Sequence, residues 1–280
     1  MSRSIAQRSM ARVFVSDRPG FAADRIKYRR KEHLMPCENK SENAVRRLLG
    51  IIELDCEDAT GESSVELSDR GALTPFRYCD PQFWPIPFQN VVALGATPSA
   101  NKVPTPEAAG GILDAAMQLD GRAQLIIGNC GFMWASRSRL YGQTSTATLT
   151  SGLEFLDLAL RMTNRPIGII TWDADPLVLL LKDHPQKDRL CLISVCDLPE
   201  WKKAANEMPA YLKPGGWTKE QMEQELSARL IEAFATGGAL EEVGIMLLEC
   251  TYVADFRHTI RAITPLPVID LLHFAKMALE

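Results

Sequence analysis

The sequence predicts an α/β fold in which two Rossmann-like domains carry mainly parallel sheets. Three observations support this prediction. Short apolar runs alternate with amphipathic helical patterns along the chain, which is typical of parallel sheets covered by helices. The runs are apolar almost throughout, as expected of strands buried on both faces. The same order of elements occurs twice, so we expect two pseudo-symmetric halves that face each other across a cleft containing the active site.

In the first half, ordered structure is expected to begin with an apolar strand over 48–55, and residues 56–74 are predicted to be a long polar loop. Prolines within Phe83–Phe88 exclude a central strand, so this segment is interpreted as a structured loop. A second strand is predicted over 91–96. Thr105 is a suitable N-cap for the helix that follows, since its hydroxyl can accept from a free N–H. Proline occupies the first helical position, which also indicates a helix start.

The second half repeats the pattern after a helix that begins near Ser151. Its predicted strands are 167–173, 189–195, the run that ends at Cys250, and 266–270. Thr218 and Gln221 form a capping box for a long amphipathic helix. A final helix is predicted over 271–279.

Two cysteines, Cys130 and Cys250, stand at matching places in the two halves, where an apolar run ends and a helix should begin. Loops at the carboxyl ends of parallel strands are where open α/β sheets bind ligands. The partial positive charge of a helix N-terminus favours thiolate over thiol. One buried cysteine is more often inert, whereas two at equivalent junctions favour a function. We therefore expect two activated thiols.

Two thiols that converge on one cleft can invert a stereocentre without a cofactor. One thiolate takes the proton from a carbon beside a carboxylate, and the other thiol returns a proton to the opposite face. Both groups need pKa values near the working pH. Backbone N–H groups at Gly131, Phe132, Thr251 and Tyr252 are candidates for stabilising the developing enolate.

A run of small and hydroxyl-bearing residues extends from Gly142 to Ser151. Such a run is usually a solvated loop. It is equally a candidate source of hydroxyl donors for a ligand carboxylate, through Thr148, Thr150 and Ser151. Both interpretations stay open at this point.

Composition and motifs disfavour several other classes of protein. The formal net charge of −4 and the absence of a basic stripe disfavour nucleic-acid binding, and no apolar run reaches membrane-spanning length. Seven cysteines without a framework spacing or a Cys-x-x-Cys pair disfavour disulfides and a metal site. A nucleotide-binding oxidoreductase lacks support, because no Gly-x-Gly-x-x-Gly or P-loop is present. We predict neither a metal nor a cofactor.

The N-terminal segment bears on localisation. Residues 1–45 are predicted to be an extension, and Met1–Ser16 contains arginines and serines but no acidic residue. This pattern resembles a mitochondrial presequence, and a disordered basic lead-in is the alternative. Free thiols without a secretory apolar region favour a reducing compartment. We therefore expect a cytoplasmic protein, with the mitochondrion as the alternative.

Four short motifs of this chain occur together in a known superfamily. They are Ile127–Phe132, Ile167–Ala174, Leu247–Thr251 and Leu266–Asp270. In this order and spacing they resemble the aspartate/glutamate/hydantoin racemase superfamily over about residues 48–280. The resemblance implies a chain that starts in one Rossmann-like domain, crosses to the second and returns at its C-terminus. We accordingly predict a first domain over 46–150 and 265–280, and a second domain over 151–264.

The resemblance also implies the roles of individual residues. Cys130 and Cys250 match the catalytic pair of a cofactor-independent proton transfer, and Asn129 and Thr251 match positions that help to hold a carboxylate. Neighbours of these residues and the hydroxyl-rich run complete the predicted substrate-binding set: Gly131, Phe132, Tyr252, Thr148, Thr150 and Ser151.

This chain departs from the superfamily pattern beside both cysteines. Well-known amino-acid racemases of the superfamily have Asn-Thr after the first cysteine, where this chain has Gly131 and Phe132. Relatives of the Glu-Cys-Thr type often continue with Asn and Pro, where this chain has Tyr252 and Val253. The bulky side chains imply a larger and more apolar pocket than aspartate needs.

The leading hypothesis is a PLP-independent isomerase, a racemase or epimerase of an amino acid or a related carboxylate or hydantoin. Alternatives with the same fold are a decarboxylase or lyase, and a cis–trans isomerase of a dicarboxylate. A non-catalytic small-molecule binder is the alternative from another class. The expected partner is a small-molecule carboxylate, with no nucleic acid and no membrane, and a homo-oligomer is one of the possible assemblies.

Overall fold

The computed structural model describes residues 48–55, 76–102, 104–206 and 215–280. These residues belong to one compact unit, Val45–Glu280. The predicted N-terminal extension and the predicted loop over 56–74 lie outside the described residues.

In the described ranges, eight strands form two four-stranded sheets. The strands are β1 (Leu49–Leu54), β2 (Phe88–Ala93), β3 (Leu125–Gly128), β4 (Ala147–Leu149), β5 (Ile167–Thr171), β6 (Leu190–Ser194), β7 (Ile245–Leu248) and β8 (Val268–Asp270). The strand order is β2-β1-β3-β4 in the first sheet and β6-β5-β7-β8 in the second. All the pairings are parallel. The predicted α/β fold with two similarly built parallel sheets is therefore confirmed.

Burial explains which strands are central. Every residue of β3, β5 and β7 is buried, as is expected of strands covered by helices on both faces. The edge strand β2 is mostly half-buried, and it begins directly after Pro87, where an edge position tolerates the missing N–H. The second strand was predicted over 91–96, and the structure places it three residues earlier, at Phe88–Ala93.

Nine α-helices surround the sheets in the part of the chain that the structure describes. They are α1 (Pro98–Lys102), α2 (Pro106–Leu119), α3 (Arg137–Leu140), α4 (Leu156–Met162), α5 (Ala174–Leu180), α6 (Pro199–Asn206), α7 (Lys219–Phe234), α8 (Arg257–Ile263) and α9 (Leu271–Leu279). The predicted N-caps are confirmed: the Thr105 hydroxyl accepts from the Ala108 N–H, and the Thr218 hydroxyl accepts from the Gln221 N–H.

The segment that follows the last strand of each sheet packs against the other sheet. After β4, the 3₁₀ segment Gly152–Phe155 and α4 pack against β7 in the second sheet. After β8, α9 contacts β3 in the first sheet. The predicted return of 265–280 to the first domain needs correction for its strand, because β8 pairs with β7 and extends the second sheet. Sequence periodicity predicts that a segment is a strand, but it does not predict which sheet edge the strand joins.

Polar contacts tie the two sheets together near the carboxyl ends of their strands. Lys102 and Asp173 form an ion pair with 2.6 Å between Nζ and Oδ2. The backbone N–H of Arg77 donates to the buried carboxylate of Asp255 at 3.1 Å. These two contacts therefore connect the two sheets. Helices within the described ranges are all too short or too polar to cross a bilayer.

Candidate functional site

The two predicted catalytic cysteines follow equivalent strands. Cys130 comes two residues after β3, and Cys250 comes two residues after β7. Each of these strands is the third in chain order within its sheet and pairs with the first strand of that sheet. The structure therefore places both cysteines at corresponding points of two sheets with the same strand order.

The segments after the cysteines are 3₁₀ helices rather than the α-helices that were predicted. Gly131–Ser136 follows Cys130, and Val253–Phe256 follows Cys250. The Met133 N–H donates to the Cys130 carbonyl, and the Val253 N–H donates to the Cys250 carbonyl. Short 3₁₀ turns have poorer hydrogen-bond alignment than an α-helix. The N-terminal charge expected at each thiol is correspondingly weaker.

The two cysteine loops contact each other directly. The Thr251 hydroxyl donates to the backbone carbonyl of Asn129 in a buried hydrogen bond. Gly131 lies so close to Glu249 that a β-carbon at position 131 would overlap both the side-chain Oε1 and the carbonyl oxygen of Glu249. These contacts join the carboxyl ends of β3 and β7, and so bring Cys130 and Cys250 to one place.

The two thiols interact electrostatically. Cys250 is buried, with 8% of its surface exposed, and Cys130 is half-buried. Burial raises the pKa of Cys250 well above its ordinary value, and the charges of Glu249 and Cys130 raise it further. The backbone N–H groups of Tyr252 and Val253 donate to the Cys250 sulfur and act in the opposite direction.

The expectation of an activated thiol, with a lowered pKa, therefore needs correction at Cys250. Loss of water around the sulfur and a neighbouring carboxylate outweigh the two backbone donors. Cys250 carries its proton at neutral pH, which suits a proton donor better than a base. The Tyr252 N–H, predicted as an enolate donor, is engaged by the sulfur in this structure.

Glu249, directly before Cys250, is a buried carboxyl group with 1% of its surface exposed. Its Oε2 accepts from the Thr171 hydroxyl at 2.9 Å, and the Trp172 N–H also donates to it. Burial raises the pKa of Glu249 to about 7, although both hydrogen bonds lower it. The group therefore changes charge near neutral pH.

Asn129 and Thr251, predicted to hold a carboxylate, make structural hydrogen bonds. The Asn129 Oδ1 accepts from the Leu54 N–H at 3.1 Å, and both residues are buried. Their known contacts connect β1, β3 and the Cys250 loop. A role toward substrate stays a prediction for both.

The predicted aromatic neighbours of the cysteines have different surroundings. Phe132 is buried in the main apolar core. Tyr252 stacks on Phe76 with 4.1 Å between ring centroids and meets the edge of Trp172 at 6.0 Å. Aromatic rings therefore lie on the Cys250 side of the junction, and the predicted apolar character of the pocket stays a prediction.

The hydroxyl-rich run is divided between a pocket and a cap. Thr148 and Thr150 line a pocket of about 170 Å³ together with Arg137 and Glu154. Neither cysteine is among the residues that line this pocket. The Ser151 hydroxyl is fully buried and accepts from the Leu153 N–H. The adjacent Gly152 approaches the carbonyl of Leu248, so the run reaches the end of β7.

Sequence reasoning missed two groups of polar residues. Glu249 lies within the motif Leu247–Thr251 and no role was predicted for it, although it is the only charged residue of the run Ile245–Cys250. Glu53 in β1 accepts from Tyr78 at 3.4 Å and from Asn90 at 3.2 Å. Burial raises the pKa of Glu53 and Tyr78. The signal in both cases is a carboxyl group within an otherwise apolar run of the sequence.

Comparison with solved structures returns similar chains at low identity. Allantoin racemase from Pseudomonas fluorescens is 13% identical, with 82% of this chain and 88% of that chain covered and a TM-score of 0.49. Unliganded arylmalonate decarboxylase is 12% identical, with 83% of this chain and 92% of that chain covered and a TM-score of 0.45. Aspartate racemase from Picrophilus torridus is 13% identical, with 83% of this chain and 92% of that chain covered and a TM-score of 0.43. No family model matches this sequence, and no curated protein matches it.

These similar structures belong to the aspartate/glutamate/hydantoin racemase superfamily. Membership of this chain in that superfamily stays a prediction from its motifs. At identities of 12% and 13% the likeness does not extend to a substrate.

Proposed function

We propose that this protein is a cofactor-independent racemase or epimerase of an amino acid or a related carboxylate or hydantoin. Cys130 and Cys250 exchange protons with the substrate carbon from opposite faces. The observation that carries the proposal is the direct contact between the two cysteine loops. The Thr251–Asn129 hydrogen bond and the Gly131–Glu249 contact bring together two thiols that stand at equivalent points of two sheets.

The proposed reaction balances as two proton transfers. The Cys130 thiolate takes the proton from the carbon beside the carboxylate or ring carbonyl, so the C–H bond breaks and an S–H bond forms. The electron pair stays on the substrate as an enolate. The Cys250 S–H then gives its proton to the opposite face, and the products are the inverted substrate and a Cys250 thiolate. The reverse direction exchanges the two roles.

The raised pKa of Cys250 supports its assignment as the proton donor in this direction. A donor must hold its proton until the enolate forms, and a buried thiol beside a carboxylate does so. Aromatic rings of Tyr252, Phe76 and Trp172 contact one another on this side of the junction. A low-dielectric environment strengthens the interaction of fixed donors with the enolate.

Proton NMR in D2O tests the proposal with a panel of chiral amino acids, other α-substituted carboxylates and hydantoins. The proposal predicts loss of the α-proton signal for at least one compound and conversion of either enantiomer into a racemate. The control is protein in which both cysteines are alkylated, which should lose the exchange.

Two results would contradict the proposal. Turnover of a dicarboxylate without α-proton exchange would indicate a lyase or a cis–trans isomerase. Ligand binding that protects the cysteines from alkylation, without exchange or turnover of any compound, would indicate a binder.

A further inference from the structure

The pocket of about 170 Å³ beside the edge strand β4 contains one cation and one anion in its lining. Arg137 at the start of α3 supplies the guanidinium, and Glu154 in the 3₁₀ segment after β4 supplies the carboxylate. Most of the other lining residues are threonines. Opposite charges together with hydroxyl groups are suited to a small polar ligand.

The pocket is separate from the junction of the two cysteine loops. Thr148 pairs with Ile126 of β3, and residues that pair in register point to the same face of a sheet. Ile126 belongs to the smaller of the two apolar clusters, which also contains Leu140 of the pocket lining. Cys250 belongs to the larger cluster. Neither cysteine lines the pocket, so a ligand bound there makes its own set of contacts.

Arg137 offers guanidinium donors to a ligand. Its guanidinium carbon lies 3.3 Å from the centroid of the Trp134 ring, and Nη1 donates to the Trp134 carbonyl at 2.9 Å. Nε and Nη2 make no hydrogen bond within the described residues, and neither is among the buried atoms that lack a partner. Both are therefore accessible. A guanidinium that stacks on an aromatic face keeps its edge available for a carboxylate.

Glu154 and the threonines offer acceptors. Glu154 Oε1 accepts from the Thr150 hydroxyl at 2.8 Å. Oε2 makes no hydrogen bond within the described residues and is not among the buried atoms that lack a partner. The hydroxyls of Thr144 and Thr148 are 3.1 Å apart, and each is placed to donate to the Thr146 carbonyl. Donation to that carbonyl leaves hydroxyl lone pairs that can accept from an ammonium group.

The two charges of the pocket do not neutralise each other. None of the ion pairs among the described residues includes Arg137 or Glu154. We propose that this pocket binds a small amino-acid zwitterion, with the ligand carboxylate on Arg137 and the ligand ammonium on Glu154 and the threonine hydroxyls. This second binding site involves neither cysteine and goes beyond the proposed function.

Size and charge disfavour other classes of ligand. Pockets for drug-sized molecules measure about 300–1,000 Å³, so this smaller pocket suits a ligand with few non-hydrogen atoms. A phosphate or a dicarboxylate would place negative charge beside Glu154, and a simple cation would place positive charge beside Arg137. Like charges at short range oppose binding. A ligand with both charges satisfies both residues.

Ligand titrations on the full chain test this inference with three probes. Glycine carries both charges, whereas acetate and methylammonium carry one each. Saturation-transfer NMR gives the three dissociation constants. Glycine should bind about tenfold or more tightly than either singly charged probe, because one hydrogen-bonded contact to a charged group corresponds to about that factor.

Two variants assign the two ends of the ligand. Arg137→Met keeps an apolar stem against Trp134 and removes the charge. It should weaken glycine and acetate binding about tenfold or more, without weakening methylammonium. Glu154→Gln should weaken glycine and methylammonium instead, without weakening acetate. Arg139→Met is the matched control, because Arg139 is an exposed residue of the same helix that does not line the pocket. It should leave all three constants unchanged.

Three results would overturn the inference. Glycine that does not bind would remove the site, and glycine that binds both variants unaltered would place the ligand elsewhere. Acetate or inorganic phosphate that binds as tightly as glycine would indicate an anion site. If Arg137→Met does not fold, Glu154→Gln decides, because an unchanged glycine constant in that variant contradicts the assignment. None of these titrations measures α-proton exchange, so the site and the proposed function stand or fail separately.

Discussion

The loops around Cys130 and Cys250 have corresponding backbones and different side chains. Both follow a buried four-residue strand, and both continue as a 3₁₀ segment. Their neighbours differ: Asn129 and Gly131 flank Cys130, whereas Glu249 and Thr251 flank Cys250. In the two contacts described above, Thr251 and Glu249 of the second loop meet the backbone of Asn129 and Gly131 in the first loop.

This difference shows how a symmetric scaffold can carry an asymmetric site. Inversion of a stereocentre needs an acid and a base on opposite faces at the same moment. The equivalent strands place the two cysteines at corresponding points, and the residues beside each cysteine differ. Gly131, which departs from the superfamily pattern, has no side chain, and the carboxyl group of Glu249 occupies the space that a β-carbon would need.

The largest expected effect concerns the pH dependence of stability. In the folded protein the pKa of Glu249 is about 7, compared with 4.5 as its ordinary value. Between these values the folded state keeps a proton that the unfolded chain releases, so stability falls as pH rises through about 7. The loss should be about 3 kcal/mol. Urea denaturation across this pH interval measures it.

Glu249→Gln should remove this part of the pH dependence, because the amide does not titrate. The unaltered protein then has the steeper fall in the free energy of unfolding, and the variant is the more stable of the two at alkaline pH. Parallel pH profiles for both proteins would show that Glu249 is ionised or solvated in the folded state.

A slightly smaller effect is expected from Gly131→Ala, which tests the contact between the loops. The added methyl group would overlap the carbonyl oxygen of Glu249 as well as its side chain. The backbone must shift, at a cost of about 2–3 kcal/mol in the free energy of unfolding. Chemical denaturation at one pH measures this cost.

Gly110→Ala is the matched control for that substitution. Gly110 lies inside α2, and an added β-carbon there would meet nothing within 4 Å. Helix propensity should make this variant more stable by about 0.5–1 kcal/mol. Equal effects of the two substitutions would mean that the Gly131–Glu249 contact does not exist in solution.

The smallest effect is expected from Thr251→Val, which removes the hydroxyl that bonds to the Asn129 carbonyl. The buried carbonyl loses a donor, so the free energy of unfolding should fall by about 1–2 kcal/mol. Thr251→Ser keeps the hydroxyl and should lose less. A serine variant as unstable as the valine variant would assign the effect to lost packing instead of the hydrogen bond.

Local sequence patterns predicted the fold class because strands and helix caps depend on residues that are close together in the chain. Buried strands such as β3 and β7 are continuous apolar runs, and Thr105 and Thr218 bond to N–H groups only three residues away. The sheet that receives β8 depends instead on a contact with β7, twenty residues away in sequence. Periodicity does not carry that information.

The site was predictable in outline for the same reason. Cys130 and Cys250 were found from their place at strand ends, which is a local feature. The raised pKa of Cys250 was not, because it depends on burial and on charges brought by folding. The contact of Glu249 with Thr171 joins residues 78 positions apart. A carboxyl group within an apolar run of residues was the only sign of it in the sequence.

The most direct test of the two-thiol mechanism is the stereochemistry of α-proton exchange in Cys130→Ser and Cys250→Ser. The measurement is proton NMR in D2O on each pure enantiomer of a substrate that the unaltered protein racemises. Each variant should lose inversion by about a hundredfold or more. Each should still exchange the α-proton of one enantiomer, and the two variants should select opposite enantiomers. Inversion at an unaltered rate in either variant, or selection of the same enantiomer by both, would contradict a mechanism in which the two cysteines act from opposite faces.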